Sequence, residues 1–159
     1  MKKEGYLIDS KVVVGISEFR DFCDYGKIDG IIYLNFDGWG LESIPQEVFE
    51  LKNLKSLSLE FNQITEIPKD ISNLTSLKYL DVDYNQLTVL PEIIGEMRLL
   101  KSLGIMYNNI SSLPISIKNL KNLKHIYLRG TKITQAPEFL KDWALDELTK
   151  TISPHIKKD

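Results

Sequence analysis

Leu54-Lys55-Ser56-Leu57-Ser58-Leu59-Glu60-Phe61-Asn62-Gln63-Ile64, closed by Ile67-Pro68, Ile71 and Leu74, is one unit of a pattern that returns every 23 residues. Leu54, Leu77, Leu100 and Leu123 form one column, and Leu57, Leu80, Leu103 and Ile126 a second. Leu59, Val82, Ile105 and Leu128 form a third, and Ile64, Leu87, Ile110 and Ile133 a fourth. Between these last two run Asn62, Asn85 and Asn108, with Thr131 in the final slot. Pro68, Pro91, Pro114 and Pro137 follow, each three residues ahead of Ile71, Ile94, Ile117 or Leu140. One step upstream, Ile31, Leu34, Phe36, Leu41, Pro45 and Val48 keep the register, with Trp39 where Asn is expected. A fixed period of this size means a solenoid, each unit burying its apolar face only against its neighbours.

The spacing within a unit says what each part builds. Leu57 and Leu59 are two apart and share one face of a short strand, leaving Ser56, Ser58 and Glu60 on the other. Ile71, Leu74 and Leu77 are three apart, the spacing of a 3₁₀ or short helical wall opposite the sheet. The Asn side chain carries donors and an acceptor, so its column is expected to satisfy buried backbone groups of adjacent turns. Thr131 can do part of this, whereas the Trp39 indole only donates. The loop Asp37-Gly38-Trp39-Gly40 is therefore expected to take its own conformation, with glycines at positive φ.

The unit L-x-x-L-x-L-x-x-N-x-I, closed by I-P and a later Ile, resembles the leucine-rich repeat, in particular the 23-residue class of Ras-group and Scribble-type intracellular proteins and of many bacterial ones. The resemblance covers about residues 28–142. It implies an α/β solenoid, a right-handed superhelix of five repeats with a concave parallel sheet and a 3₁₀ or short-helix convex side. It implies a protein-interaction module and leaves the partner open, since one fold hosts many functions.

Both ends are expected to cap the stack, at residues 1–27 and 138–159, with the repeats between them over 28–137. A strand at Lys11–Val14 and a short helix at about 16–25, with Ser17 as N-cap and Phe19, Phe22 and Cys23 on one face, form the first cap. At the other end Leu140, Trp143, Ala144 and Leu148 have helical spacing, which predicts a helix over 138–149 covering the last rung, followed by a frayed tail from Ile152.

The formal net charge of −2 lacks the basic excess of a general nucleic-acid binder. No apolar run approaches the ~18 residues of a membrane span. A single cysteine, Cys23, excludes an intrachain disulfide and points to a reducing, cytoplasmic setting. Phosphate-loop, dinucleotide-binding, zincin and serine-elbow motifs are missing, and the two histidines, His125 and His155, are far apart in sequence. The chain is read as a non-enzyme and as a monomer, without cofactor or metal.

Partner choice is left to the outward residues of the strands. They form the columns Tyr33, Ser56, Tyr79, Ser102, His125; Asn35, Ser58, Asp81, Gly104, Tyr127; and Asp37, Glu60, Asp83, Met106, Arg129. A fourth, at the strand exit, reads Gly38, Phe61, Tyr84, Tyr107, Gly130, either an aromatic ladder that packs on itself or a binding platform. Asp37, Glu60, Asp81 and Asp83 make the N-terminal part acidic, while His125, Arg129 and Lys132 make the C-terminal part basic. Tyr33, Asp37, Glu60, Tyr79, Asp81, Asp83, Tyr127 and Arg129 are the candidate partner-binding residues. The acidic part suits a protein with a basic surface. Alternatives are an inhibitor or immunity-type protein occluding a basic enzyme, and the recognition part of a larger signalling or effector protein.

Overall fold

The structure, a computed structural model, describes residues 6–8, 11–13, 19–21, 30–134, 137–140, 143–146 and 151–154. Strands β1 (Tyr6–Ile8) and β2 (Lys11–Val13) form an antiparallel pair. The repeats contribute β3 (Tyr33–Asn35), β4 (Ser56–Ser58), β5 (Tyr79–Asp81), β6 (Ser102–Gly104) and β7 (His125–Tyr127). Each pairs in parallel with the next, and the columns stand in register: Leu34, Leu57, Leu80, Leu103 and Ile126 are successive Cα partners. This is the five-rung parallel sheet that the period predicts.

Across the core from the sheet, 3₁₀ segments run over Gln46–Glu50, Lys69–Asn73, Glu92–Glu96 and Ile115–Asn119. Each starts directly after its proline, whose fixed φ and missing N–H suit the first position. The proline carbonyl is not wasted: Pro68 O accepts from Ile71 N–H, and Pro91 O from Ile94 N–H, at 3.1 Å. Ile71, Ile94 and Ile117 then point inward and are buried with the leucine columns in one continuous core.

The Asn ladder is present. Asn85 Nδ2 donates to Leu59 O, Val82 O and Asp83 O, and its Oδ1 accepts from Ile64 N–H. Asn62 and Asn108 repeat the pattern one rung earlier and one rung later. All three are buried. Thr131 Oγ1 donates to Leu128 O and accepts from Ile133 N–H, bonds that stay within its own rung. Gly38 and Gly40 adopt φ of 67° and 69°, as the loop reading requires. Trp39 is half-buried against the core, its ring 4.7 Å from that of Phe36.

The ends differ from expectation. Residues 19–21 are helical, and the buried Phe19 meets Phe36 edge-on at 5.1 Å. Ser17, Phe22 and Cys23 lie outside the described residues, as do Leu148 and His155. The predicted helix over 138–149 is not formed. A 3₁₀ turn at Glu138–Leu140 leads instead to β8 (Trp143–Asp146), and the segment read as a frayed tail contributes β9 (Thr151–Pro154). Strand β9 pairs antiparallel with both β7 and β8, extending the sheet to seven strands. The physical reason is the edge of β7. Its N–H and C=O groups need backbone partners, which a strand supplies and a helix does not. That demand overrides the helical spacing of Leu140, Trp143 and Ala144.

Candidate functional site

The outward side chains of β3 to β7 and of the residues just past them form the candidate site. Tyr33 is 63% exposed, and Tyr79 and Tyr127 also face solvent. Tyr33 and Tyr79 flank Ser56 in one column, while Tyr127 stands two rungs further on, its ring beside that of His125. Arg129 is exposed beyond it, away from the acids.

The structure brings Asp37, Glu60, Asp81 and Asp83 together. Asp37 Oδ1 accepts from Ser58 Oγ at 2.6 Å and from Glu60 N–H at 2.8 Å, which fixes it across the first rung step. Asp83 was expected to face outward, yet it is 3% exposed. The alternation of a strand ends at Asp81; past it the chain turns, and Asp83 Oδ1 folds onto Met106 N–H at 2.6 Å. Asp83 N–H in turn donates to Asp81 Oδ1. Gly104 makes the room: a Cβ there would sit 2.5 Å from Asp81 Oδ1 and 2.9 Å from Asp83 Oδ1.

Crowded carboxyls hold their protons. Burial, then the charges of Asp81 and Asp37, push Glu60 up to about 7. Burial and the Asp81 charge push Asp83 up to about 7 against the pull of the Met106 N–H. Burial also raises Asp81, but hydrogen bonds from Asp83 and Glu60 favour its charged form. Near neutral pH Glu60 and Asp83 are therefore only partly ionised, with Asp81 between them. Among the described residues the single ion pair within 4.0 Å is Arg20–Glu47, so no cation of the repeats neutralises this cluster at close range. Nor is any group of three or more His, Cys, Asp or Glu side chains among the described residues arranged to hold a metal ion. Asp37, Asp81 and Asp83 each accept from backbone N–H groups instead, of Glu60, Asp83 and Met106.

Beside the acids runs a ring stack. Phe61 and Tyr84 lie 4.3 Å apart and nearly parallel, and so do Tyr84 and Tyr107. All three have positive φ, between 50° and 55°, where Gly38 and Gly130 stand in the outer rungs. Left-handed backbone costs a non-glycine residue about 1 kcal/mol. Ring stacking contributes a similar amount in return. The ladder reading of this column therefore holds, and the edges of its rings remain at the surface.

A surface depression lies elsewhere, on the 3₁₀ wall, lined by Gly95, Glu96, Arg98, Asn119, Lys121 and Asn122. It contains none of the candidate residues.

The leucine rich repeat family matches residues 32–87. Among solved structures, a leucine-rich repeat protein of Leptospira interrogans superimposes with a TM-score of 0.67 at 31% identity, over 80% of this chain and 31% of that one. An internalin of Listeria monocytogenes superimposes with a TM-score of 0.62 at 30% identity, over 71% of this chain and 32% of its own. The chain is a leucine-rich repeat protein. Internalin C2 of Listeria monocytogenes is similar at 28% identity and a TM-score of 0.54, over 62% of this chain and 42% of that one. A 65-residue stretch, 40% of this chain, is 32% identical to 11% of the small ribosomal subunit protein bS1 of Rickettsia typhi. The leucine-rich repeat protein thus spans about a third of the first two solved relatives. The narrower likeness to the Ras-group and Scribble-type class stays a resemblance of sequence.

Sequence reasoning placed the columns of this repeat protein in register but put the buried Asp83 on the outward face and missed Gly104 as the residue that admits the carboxyls. Its signal was a gap in a column otherwise filled by side chains. Among the described residues no helix is long and apolar enough to cross a membrane.

Proposed function

We propose that this leucine-rich repeat protein is a non-catalytic interaction module that binds a protein partner through the concave, outward face of its sheet. Tyr79, Asp81 and Glu60 form the centre, with Tyr33, Asp37, Tyr127 and Arg129 around them. One observation carries the reading: exposed tyrosines and a carboxyl cluster, without a close cation among the described residues, stand on one face of a five-rung sheet. Tyr supplies large contact area at small entropy cost, and strand-borne side chains are already ordered. The kinship with internalins and other leucine-rich repeat proteins supports a binding role. The acidic centre favours a partner with a basic surface, whose approach would be steered by charge. The buried Asp83 acts by positioning rather than by contact.

The protein is proposed to work as a monomer in the cytoplasm, without nucleic acid or membrane as its target; fractionation and sedimentation test this. The test of the site begins with affinity capture of a partner. Tyr79→Ser combined with Asp81→Asn should weaken the captured complex by about tenfold or more. Reversal of the exposed Lys69 on the 3₁₀ wall should leave it unchanged; Glu92 is a poorer control, since its Oε2 accepts Ser116 N–H. Binding lost on Lys69→Glu and kept in the sheet-face variant would sink the assignment. If the partner is a basic enzyme whose activity disappears on binding, the protein is an occluding inhibitor rather than a scaffold.

A further inference from the structure

The ring stack has one closed end and one open end. Tyr107 leans over the next rung, so that a Cβ on Gly130 would lie 2.5 Å from its Cδ1. Tyr84 stacks on Tyr107, and Phe61 on Tyr84. Among the described residues no ring leans on Phe61 in turn. Rung one has Gly38 in that slot, and among the described residues no heavy atom lies within 4 Å of a Cβ built there. Phe61 is accordingly 57% exposed, against 37% for Tyr84 and 38% for Tyr107. The open position has the same left-handed backbone as its neighbours, φ 67° at Gly38 against 55° at Phe61, so it is one missing ring in an otherwise continuous stack. One carboxyl borders it: Asp37 precedes Gly38 and is fixed by Ser58 and by Glu60 N–H.

We infer that the open slot above Gly38 receives an arginine side chain of the protein partner, its guanidinium lying on the free face of Phe61 and pairing with Asp37. This rests on the sheet-face reading above and names the chemistry at its N-terminal end. The surroundings select the side chain. A flat neutral ring would extend the stack but leave Asp37 without counter-charge. An ammonium would pair with Asp37 but cannot lie on the ring as a plate. Guanidinium is planar, cationic and weakly hydrated, and does both.

The test uses the full chain and three peptides, Gly-Gly-X-Gly-Gly with X as Arg, Lys or Tyr. The ring protons of Phe61 are followed by nuclear magnetic resonance. The Arg peptide should shift them saturably, and the Lys peptide should bind about two- to fivefold more weakly. Gly38→Tyr puts the chain's own ring in the slot and should abolish the Phe61 response. Gly38→Ala carries the same backbone strain without a ring and should keep it, which separates blocking from misfolding. An unshifted Phe61 with the Arg peptide, or a Gly38→Tyr variant that binds as well as the parent, overturns the slot. Equal binding of the Tyr or Lys peptide overturns the guanidinium assignment. With a captured partner, loss on Tyr79→Ser but not on Gly38→Tyr would refute the slot and leave the sheet-face reading intact. Loss on neither would refute that reading itself.

Discussion

The three middle rungs and the two outer rungs solve the same turn differently. In the middle rungs an aromatic residue at positive φ precedes an Asn whose amide is fully bonded. In the outer rungs glycine takes the positive φ and Asn is replaced, by Trp39 at one end and Thr131 at the other. The replacements are not equivalent, because the ladder looks backward. Asn62 Oδ1 serves Leu41 N–H, and its Nδ2 serves Phe36 O, both in the rung before it. An Asn at position 39 would have no earlier repeat to serve. Rung one can therefore spend that position on packing, and Trp39, Phe36 and Phe19 close the end of the core with rings. Rung five has an earlier neighbour, and Thr131 fails to reach it.

Asn85→Ala should break the middle of the ladder hardest. It removes a donor from Leu59 O, Val82 O and Asp83 O and the acceptor of Ile64 N–H. The expected loss is about 1–3 kcal/mol in urea denaturation. Thr131→Ala, losing only bonds within one rung, should cost less than half as much. Equal losses would mean that the inter-rung bonds contribute nothing beyond the local turn.

This asymmetry explains what the sequence could and could not disclose. Leu57, Asn85 or Pro91 each recurs because one local task recurs, so their columns read directly as strand, turn and 3₁₀ start. Trp143 and Ala144 have a helical spacing that is real but local, while the need of the β7 edge for a strand partner is set by the rest of the sheet. Asp83 counts as outward by alternation, yet alternation stops where β5 stops, and its burial depends on Met106 in the next rung. The Phe61 column was legible; the direction in which its rings lean, and hence which end is open, was not.

The two terminal glycines sharpen the comparison next. Gly38 and Gly130 have nearly the same φ, 67° and 73°. Gly38→Ala should cost about 1 kcal/mol, the strain of left-handed backbone alone. Gly130→Ala adds a Cβ that must displace the Tyr107 ring, and should cost about 2 kcal/mol. Denaturation midpoints that fall together for both would show that the stack is open at both ends or closed at both.

Thr131→Asn tests the backward-looking ladder as a gain. In register, an Asn at 131 would reach Ile105 O and Ile110 N–H, just as Asn108 reaches Val82 O and Leu87 N–H. The variant should be stabilised by about 1 kcal/mol. Trp39→Asn should be destabilising, since it gives up the contact with Phe36 and has no earlier repeat to bond. A stabilised Trp39→Asn would overturn the account of the first rung.

The smallest effect separates the acidic rungs from the later ones, where Met106 and Arg129 occupy the third column. Glu60 and Asp83 rise in the fold from 4.5 and 3.8 to about 7, so between those values the folded chain holds protons that the unfolded chain has released. Stability from this source is complete below pH 4 and is lost as pH rises through 7. The urea midpoint should therefore decline from pH 5 to pH 8, the reverse of the usual carboxylate trend. The slope should stay well under the roughly 1.4 kcal/mol per pH unit of a fully shielded proton, because water screens Glu60. Asp83→Asn keeps an oxygen for Met106 N–H but cannot ionise, so it should flatten the decline and raise the midpoint at pH 8. A parent midpoint that climbs over this range would mean that the cluster ionises freely.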